Sequence, residues 1–228
     1  MGIIKILKTL NLFKSFYFSW KTFSFREAFK LPVLIGRNSI INNWGKIEVK
    51  VPPYSGMISI GCRKLNGYEN YLEPLMFSNY GKIIIGGPMK IYPGAKIVCS
   101  SGGVINFGGR NTIGRNTKII CYKHIVIGYN SGCSWECQIF DTDFHYLIDL
   151  DSGRPYKRTK PVSIGDNVFI GNHCNIGKGT KIPKGCVVSS WSKVSGSFEN
   201  NGENLLLLGN PATVVRTGVS MSYAWDTE

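Results

Sequence analysis

Between residues 164 and 199 the chain repeats in sixes: IGDNVF, IGNHCN, IGKGTK, IPKGCV, VSSWSK, VSGSFE. The first position is always branched: Ile164, Ile170, Ile176, Ile182, Val188, Val194. Four places later come the smaller Val168, Cys174, Thr180, Cys186 and Ser192, and Phe198 breaks the series. An amphipathic helix returns its apolar face every 3.6 residues and a half-buried strand alternates, so a period of six is neither. It predicts a coil of short strands joined by tight corners, with the branched aliphatic inside and the small residue beside the turn. Gly165, Gly171, Gly177 and the Pro183/Gly185 pair supply corner geometry. Each fully buried Ile or Val contributes about 1.5–3 kcal/mol, so stacked coils need no separate hydrophobic layer. Cys174 and Cys186 become interior fillers without a redox role.

The pattern continues upstream less cleanly. Ile85, Ile91 and Ile97 are followed four places on by Met89, Ala95 and Ser101. Ile113 and Ile119 come after a slip at SSGGVINFGG, and Ile127, Cys133 and Ile139 after another near Ile125. From Ile139 to Ile164 the period stops, which predicts a loop (140–163) extruded from one coil, the place where repeat folds tend to carry function. The expected organisation is a cap or amphipathic segment over 1–35, a β-helix over 36–217 and a tail over 218–228. In the first segment Ile3, Ile6 or Leu7, Leu10, Phe13 and Tyr17 would form one helical stripe with Lys5, Lys8 and Ser15 off it. Two uses stay open: packing on the protein, or a basic, aromatic face (residues 1–30) in peripheral contact with a membrane. No uncharged apolar stretch there approaches the roughly 18 residues of a span, and lysines interrupt any signal-peptide core. A cytoplasmic protein, peripheral at the inner face of the membrane if that contact exists, is the expectation.

Composition adds limits. With 228 residues and 43% hydrophobic content, one sizeable core is expected. The 27 Lys and Arg against 14 Asp and Glu leave +13, which suits a phosphorylated ligand, nucleic acid or an anionic membrane. Nothing beyond charge supports nucleic-acid recognition, so none is expected. Seven cysteines without a CxxC pair argue against a zinc ribbon and a complete disulfide framework.

The extruded segment opens IFDTDFHYLIDL, with Asp141, Asp143 and His145 at alternate positions and Asp149 beyond. This is a metal site, a general base with orienting carboxylates, or a polar loop. In an extended stretch the three alternate residues face one way, so Asp143 or Asp141 can hold the second ring nitrogen of His145, as can a backbone carbonyl; Asp143 is favoured. Asp141-Thr142-Asp143 also spells the Asp-x-Asp of metal-dependent glycosyltransferases, but that chemistry belongs with alternating strands and helices. A zinc hydratase needs three converging histidines, and His124, His145 and His173 include no close pair, so no metal is expected. After His145, SGRPYKRTKP carries Arg154, Lys157, Arg158 and Lys160 without an acid, either as a solvated loop or to meet an acidic sugar or phosphates.

KPVSIGDNVFIGNHCNIGKGTKIPKGCVV and GNPATVVR (209–216) together resemble the hexapeptide-repeat acyltransferases, among them galactoside, maltose and capsular-polysaccharide O-acetyltransferases, over residues 80–217; residues 1–79 match loosely. The resemblance implies an all-β, left-handed parallel β-helix. The hand comes from the resemblance, since the general rule for parallel crossovers favours the right hand. It implies transfer of acetyl from acetyl-CoA to a sugar hydroxyl, in surface-polysaccharide synthesis, with His145 as general base. An imidazole, unperturbed pKa about 6.5, suits the removal of such a proton, which is worth roughly 10² to 10⁴ in rate. It further implies a homotrimer with the cofactor in a groove between subunits. Asn172 and Ser190 would meet the pantetheine amides, Ser195 would lie near the pantetheine, and Arg216 would meet the nucleotide phosphates. Lys193 would stand in for the family's basic residue where SGS replaces TKD. Trp191, where the family has glycine, would stack on adenine or cap a corner. Trp135, Glu136 and Asp141 would meet the acceptor, and His124 and His173 would be structural. Transfer to an amino sugar or xenobiotic, and a catalytically silent β-helix scaffold, are the alternatives.

Overall fold

The computed structural model describes residues 9–62 and 73–221. Helix α1 (Leu12–Thr22) and the short α2 (Phe25–Ala28) precede strands that come in threes, one set per coil. The coils are β1 (Val33–Ile35), β2 (Ser39–Asn43), β3 (Lys46–Val49); β4 (Ile58–Ile60), β5 (Leu75–Asn79), β6 (Lys82–Ile85); β7 (Met89–Ile91), β8 (Lys96–Cys99), β9 (Val104–Phe107); and β10 (Asn111–Ile113), β11 (Lys118–Cys121), β12 (His124–Ile127). They continue as β13 (Gly132–Cys133), β14 (Gln138–Phe140), β15 (Val162–Ile164); β16 (Phe169–Ile170), β17 (Asn175–Ile176), β18 (Lys181–Ile182); and β19 (Val187–Val188), β20 (Lys193–Val194), closed by β21 (Leu205–Gly209) and β22 (Ala212–Thr217). The seven first strands of the coils, continued by β21 and β22, form a nine-stranded first face, the second strands a seven-stranded second face, and the third strands a six-stranded third face. All ladders are parallel except β21 with β22. This is the left-handed parallel β-helix the sequence implied.

Aliphatic columns hold the coils in register. Ile91, Ile113, Cys133, Ile170 and Val188 lie one above the next on the first face, and Ile97, Ile119, Ile139, Ile176 and Val194 on the second, all buried. The small residues of the sixes, Val168, Cys174, Thr180, Cys186 and Ser192, are buried beside the corners, and so is Phe198. Ser101 differs: it is exposed in a turn. The earlier coils use longer strands with two inward residues each, such as Ile83 with Ile85 and Ile105 with Phe107, which lengthens the coil and hides the six.

Helix α1 closes the first coil, but not by the expected stripe. Phe13 is 81% exposed and Tyr17 half exposed, while Ser15, Phe18 and Ser19 are buried. The reason is polar: Ser15 Oγ accepts from the Ile35 N–H (2.9 Å) and Ser19 Oγ from the Val33 N–H (3.2 Å), supplying β1 with partners a strand would otherwise give. Phe18 packs edge-on against Phe77 at 5.9 Å. Ile3, Ile6 and Leu7 lie outside the described residues.

The extruded segment leaves at the corner between the second and third faces and returns as a twisted hairpin. Isolated antiparallel bridges join Thr142 with Thr159 and Ile148 with Pro155. At its tip Asp149 accepts from the N–H groups of Asp151 and Ser152 and from the Tyr156 hydroxyl. Its root is Asp141, and here the sequence reading needs correction. The Asp141 side chain is fully buried and accepts the N–H groups of Tyr122 (2.8 Å), Lys123 (2.7 Å) and His124 (2.7 Å). Its oxygens are spent on backbone, so it reaches neither an acceptor sugar nor the His145 ring.

Two outcomes follow from this packing. Phe18→Ala should destabilise the fold by about 3–5 kcal/mol in chemical denaturation, as buried Phe truncations do; a change within the error of an exposed-site control would show that α1 does not close the coil. Asp141→Ala removes the partner of three part-buried N–H groups, each hydrogen bond to a carboxylate being worth about 1.5–3 kcal/mol. Hydrogen exchange at residues 122–124 should accelerate markedly, and unchanged protection would remove Asp141 from the loop's root.

Candidate functional site

The loop does not hold the alternation read from sequence. Phe144 takes φ +65°, a left-handed conformation in mid-segment, and its N–H donates to Thr142 Oγ1 at 3.0 Å. Its ring packs edge-on against Phe140 (5.5 Å) and Tyr122 (6.1 Å). Asp141, Asp143 and His145 therefore do not line one side. Asp143 pairs with the Lys178 ammonium, which also donates to the Lys157 carbonyl at 2.6 Å, so the structure gives its carboxylate to Lys178 rather than to the His145 imidazole. His145 itself is exposed to solvent. On the same loop the Arg158 guanidinium lies over the ring of Tyr146, the residue after His145 (4.9 Å), and over the Tyr122 ring (5.7 Å), and its Nε is buried with no hydrogen-bond partner among the described residues. The loop thus presents together an imidazole able to take a proton, aromatic walls and a cation with a donor left over. Arg154 and Lys157 are exposed nearby in sequence.

Of the expected cofactor residues, Lys193 and Ser195 lie in and just past the second-face strand β20 and Arg216 lies on the first face, while Asn172, Ser190 and Trp191 lie at a different edge, between the first and second faces. There Glu136, His173 and Trp191 occupy the same place on consecutive coils, each with positive φ (59°, 56° and 66°). Glu136 Oε2 stands 3.0 Å from His173 Nδ1, and the His173 ring stacks on the Trp191 indole at 4.1 Å and 12°. The Trp191 backbone N–H donates to the Asn172 carbonyl (2.9 Å), and the His173 backbone N–H to that of Trp135 (3.1 Å). One face of Trp191 is thereby taken, yet the residue stays 70% exposed. Sequence reasoning treated Glu136 as an acceptor contact and missed that it and His173 support the indole. The signal was available: each of Glu136, His173 and Trp191 stands three places after the inward residue of its first-face strand, Cys133, Ile170 or Val188.

Ser190 is exposed and stacks over Gly171, where a Cβ would meet its Oγ at 2.8 Å. Lys193 and Ser195 face outward on either side of buried Val194, and Arg216 lies exposed on β22, opposite Leu206 of β21. Trp135, half exposed, lines a cavity of about 340 Å³ with Tyr92, Arg115 and Phe169. Trp135 and Glu136 therefore belong with the Trp191 edge, not with the loop, and within one chain the second face separates them from His145. Beneath this edge the Cys133 thiol, together with burial, pushes the Cys137 thiol up to about 12, and the Cys137 thiol and burial raise Cys174. Those thiols stay protonated and inert near neutral pH. Among the described residues no group of three or more His, Cys, Asp or Glu is placed to hold a metal ion.

No family model matches the chain. An uncharacterized 24.8 kDa protein from the cps region of Klebsiella pneumoniae is 30% identical over 199 residues, 87% of this chain and 85% of that protein. A probable acetyltransferase of Mycobacterium tuberculosis is 32% identical over 118 residues, 50% of this chain and 37% of its own length. Among solved structures, the polySia specific acetyltransferase NeuO superimposes with TM-score 0.56 and 18% identity, covering 83% of this chain and 84% of that one. AntD, an N-acyltransferase from Bacillus cereus seen with dTDP and 3-hydroxybutyryl-CoA, gives TM-score 0.51 at 17% identity, covering 86% and 89%. The sixes set the coil, the coil is the β-helix fold of NeuO and AntD, and the sequence kinship over most of the chain is with the cps-region protein: the chain belongs to one family with that Klebsiella pneumoniae protein, on the fold of the hexapeptide-repeat proteins.

Proposed function

We propose that the protein is an O-acetyltransferase that moves acetyl from acetyl-CoA to a sugar hydroxyl in a surface polysaccharide, with His145 as general base. The observation that carries this reading is the exposed imidazole on a loop rooted in the fold by Asp141, next in sequence to Tyr146, over whose ring the Arg158 cation lies. The hydroxyl oxygen attacks the thioester carbon as His145 takes its proton; the C–O bond forms, the C–S bond breaks, and the imidazolium returns the proton to the departing sulfur. Arg158, with an unused buried Nε, suits an acceptor that carries a negative charge near the reacting hydroxyl. A capsular-region relative and a likeness to an acetyltransferase specific for polysialic acid support such an acceptor.

For the donor, Asn172 and Ser190 offer hydrogen bonds to the pantetheine amides, and the free face of Trp191 suits a stacked adenine. Lys193 and Arg216 are assigned to the phosphates, and Ser195, just past the end of β20, is assigned to the pantetheine where it runs toward the loop's corner. His173, held by Glu136, is then a positioning residue that keeps the indole flat. Because the second face separates this edge from the loop, base and thioester cannot meet within one chain at the roughly 3–3.5 Å that reaction needs. A homotrimer in which the loop of one copy meets the Trp191 edge of the next brings them together.

His145→Ala should lower kcat by about 10² or more, measured as thiol release from acetyl-CoA, and leave acetyl-CoA binding intact. Normal turnover would exclude His145 as the base. His173→Ala should raise KM for acetyl-CoA with little effect on kcat; a collapse of kcat there, with His145→Ala active, would exchange their roles. Mixing His145→Ala with a Trp191→Ala/Asn172→Ala variant through unfolding and reassembly should restore transfer that neither has alone, and failure to complement would count against the shared site. The product should lose its acetyl in mild alkali; an alkali-stable amide would assign the acceptor to an amino sugar.

A further inference from the structure

The corner between the second and third faces, from which the His145 loop springs, carries an unexplained repeat. Asn43-Trp44-Gly45-Lys46-Ile47 in the first coil recurs as Asn79-Tyr80-Gly81-Lys82-Ile83 in the second. The two turns stack. Asn79 Nδ2 donates to Asn43 Oδ1 (2.8 Å), and a Cβ at Gly45 would collide with the Gly81 carbonyl, one at Gly81 with that of Gly103. A Cβ at Gly103 would in turn crowd the carbonyl of Cys121. The glycines let the coils close while the residue before each turns outward. That residue is Trp44 (81% exposed), then Tyr80 (50%), a gap at Gly102, and then Tyr122 (40%), whose other neighbours are Arg158 and Phe144.

The ladder from β3 through β6, β9 and β12 to β15 spans four inter-strand steps, about 19 Å at roughly 4.8 Å each. At its far end Trp44 borders a cavity of about 490 Å³ shared with Tyr17, Lys14, Lys21 and the amides of Asn42 and Asn43. Lys14 Nζ donates to the Ser39 carbonyl and Lys21 lies 5.8 Å from the Tyr17 ring, and among the described residues neither forms an ion pair with an acid. Along the edge Lys46 and Lys123 are exposed. Among the described residues, Glu48 is engaged by Lys50 and Lys82, Asp143 by Lys178 and Asp141 by backbone.

Exposed rings at the same corner of stacked coils offer apolar faces to successive sugars, and the exposed cations between them offer partners for carboxylates or phosphates. We propose that this edge is a track for an extended acidic polysaccharide, which enters at the Trp44 cavity, passes Tyr80 and Tyr122 and delivers one sugar to His145. The inference rests on the sugar-hydroxyl reading above and adds that the acceptor is a polymer held over several residues. Several weak contacts on one chain raise affinity with length, because each later contact is intramolecular.

The test is direct binding of sialic acid and galacturonic acid oligomers of increasing length, with neutral maltodextrins and phosphatidylglycerol vesicles as controls. Wild-type affinity for an acidic series should rise about tenfold or more with length and weaken with salt. Trp44→Ala/Tyr80→Ala should abolish the length dependence while thiol release with a short acceptor is unchanged. Lys21→Gln/Lys46→Gln, which removes charge without touching a ring, should flatten it too. His145→Ala should bind long chains as wild type does. Length-independent binding in both acidic series, equal affinity in the double variants, or a preference for the neutral chain would overturn the track. So would Trp44-dependent capture by vesicles without glycan binding, which would mark a lipid face, or loss of oligomers on sedimentation of Trp44→Ala/Tyr80→Ala, which would mark a subunit contact. If long chains bind as expected but no sugar is acetylated, the acyl-transfer reading fails and the track stands.

Discussion

Everything here depends on register: a branched aliphatic on one coil must sit on the aliphatic of the next. Ile97 over Ile119 over Ile139 over Ile176 leaves no freedom to slip, because a one-residue shift would turn the whole column out to solvent. The outside inherits that order. A residue at a given place in one corner stands above its counterpart in the next, so side chains far apart in sequence form ladders. Glu136, His173 and Trp191 are one such ladder, and Trp44 with Tyr80 begins another. Surface chemistry in this molecule is arranged by columns rather than by neighbouring residues.

The division between the edges shapes how the protein can work. The loop with His145 and Arg158 springs from one corner and the Trp191 ladder from another, with a hydrogen-bonded face between them. A packed coil does not bend to bring two edges together, since each step is fixed by core contacts on all three faces. Assembly of copies is then a simpler route than motion within one chain.

The sequence was legible where coil length is a multiple of the period. From Ile164 on, each strand contributes one inward residue and the sixes announce the fold. Upstream, strands with two inward residues such as Ile83 and Ile85 obscure it, although coils begin at Val33. His145 was legible as a candidate, while its neighbours were misassigned. Alternation assumed an extended segment, and the left-handed turn at Phe144 breaks it. Asp141 looked like surface chemistry, but three N–H groups of another coil claim it, and no local pattern shows a partner some twenty residues away. The stripe in α1 failed for a similar reason: apolar periodicity did not reveal that Ser15 and Ser19 would be drawn inward by the N–H groups of β1.

Those two serines bear on solubility. A coil of parallel strands ends in unpaired backbone, a template on which another copy could continue the ladder and grow into a fibre. Hydroxyl groups from a helix occupy donors of β1, and a helix offers the next chain no matching row. At the other end β22 runs antiparallel to β21, with a register shift between Leu206 and Leu207, so the repeat meets a strand of the wrong direction. The first face is thus guarded at both its ends against head-to-tail continuation, by two serines at one and a reversed strand at the other.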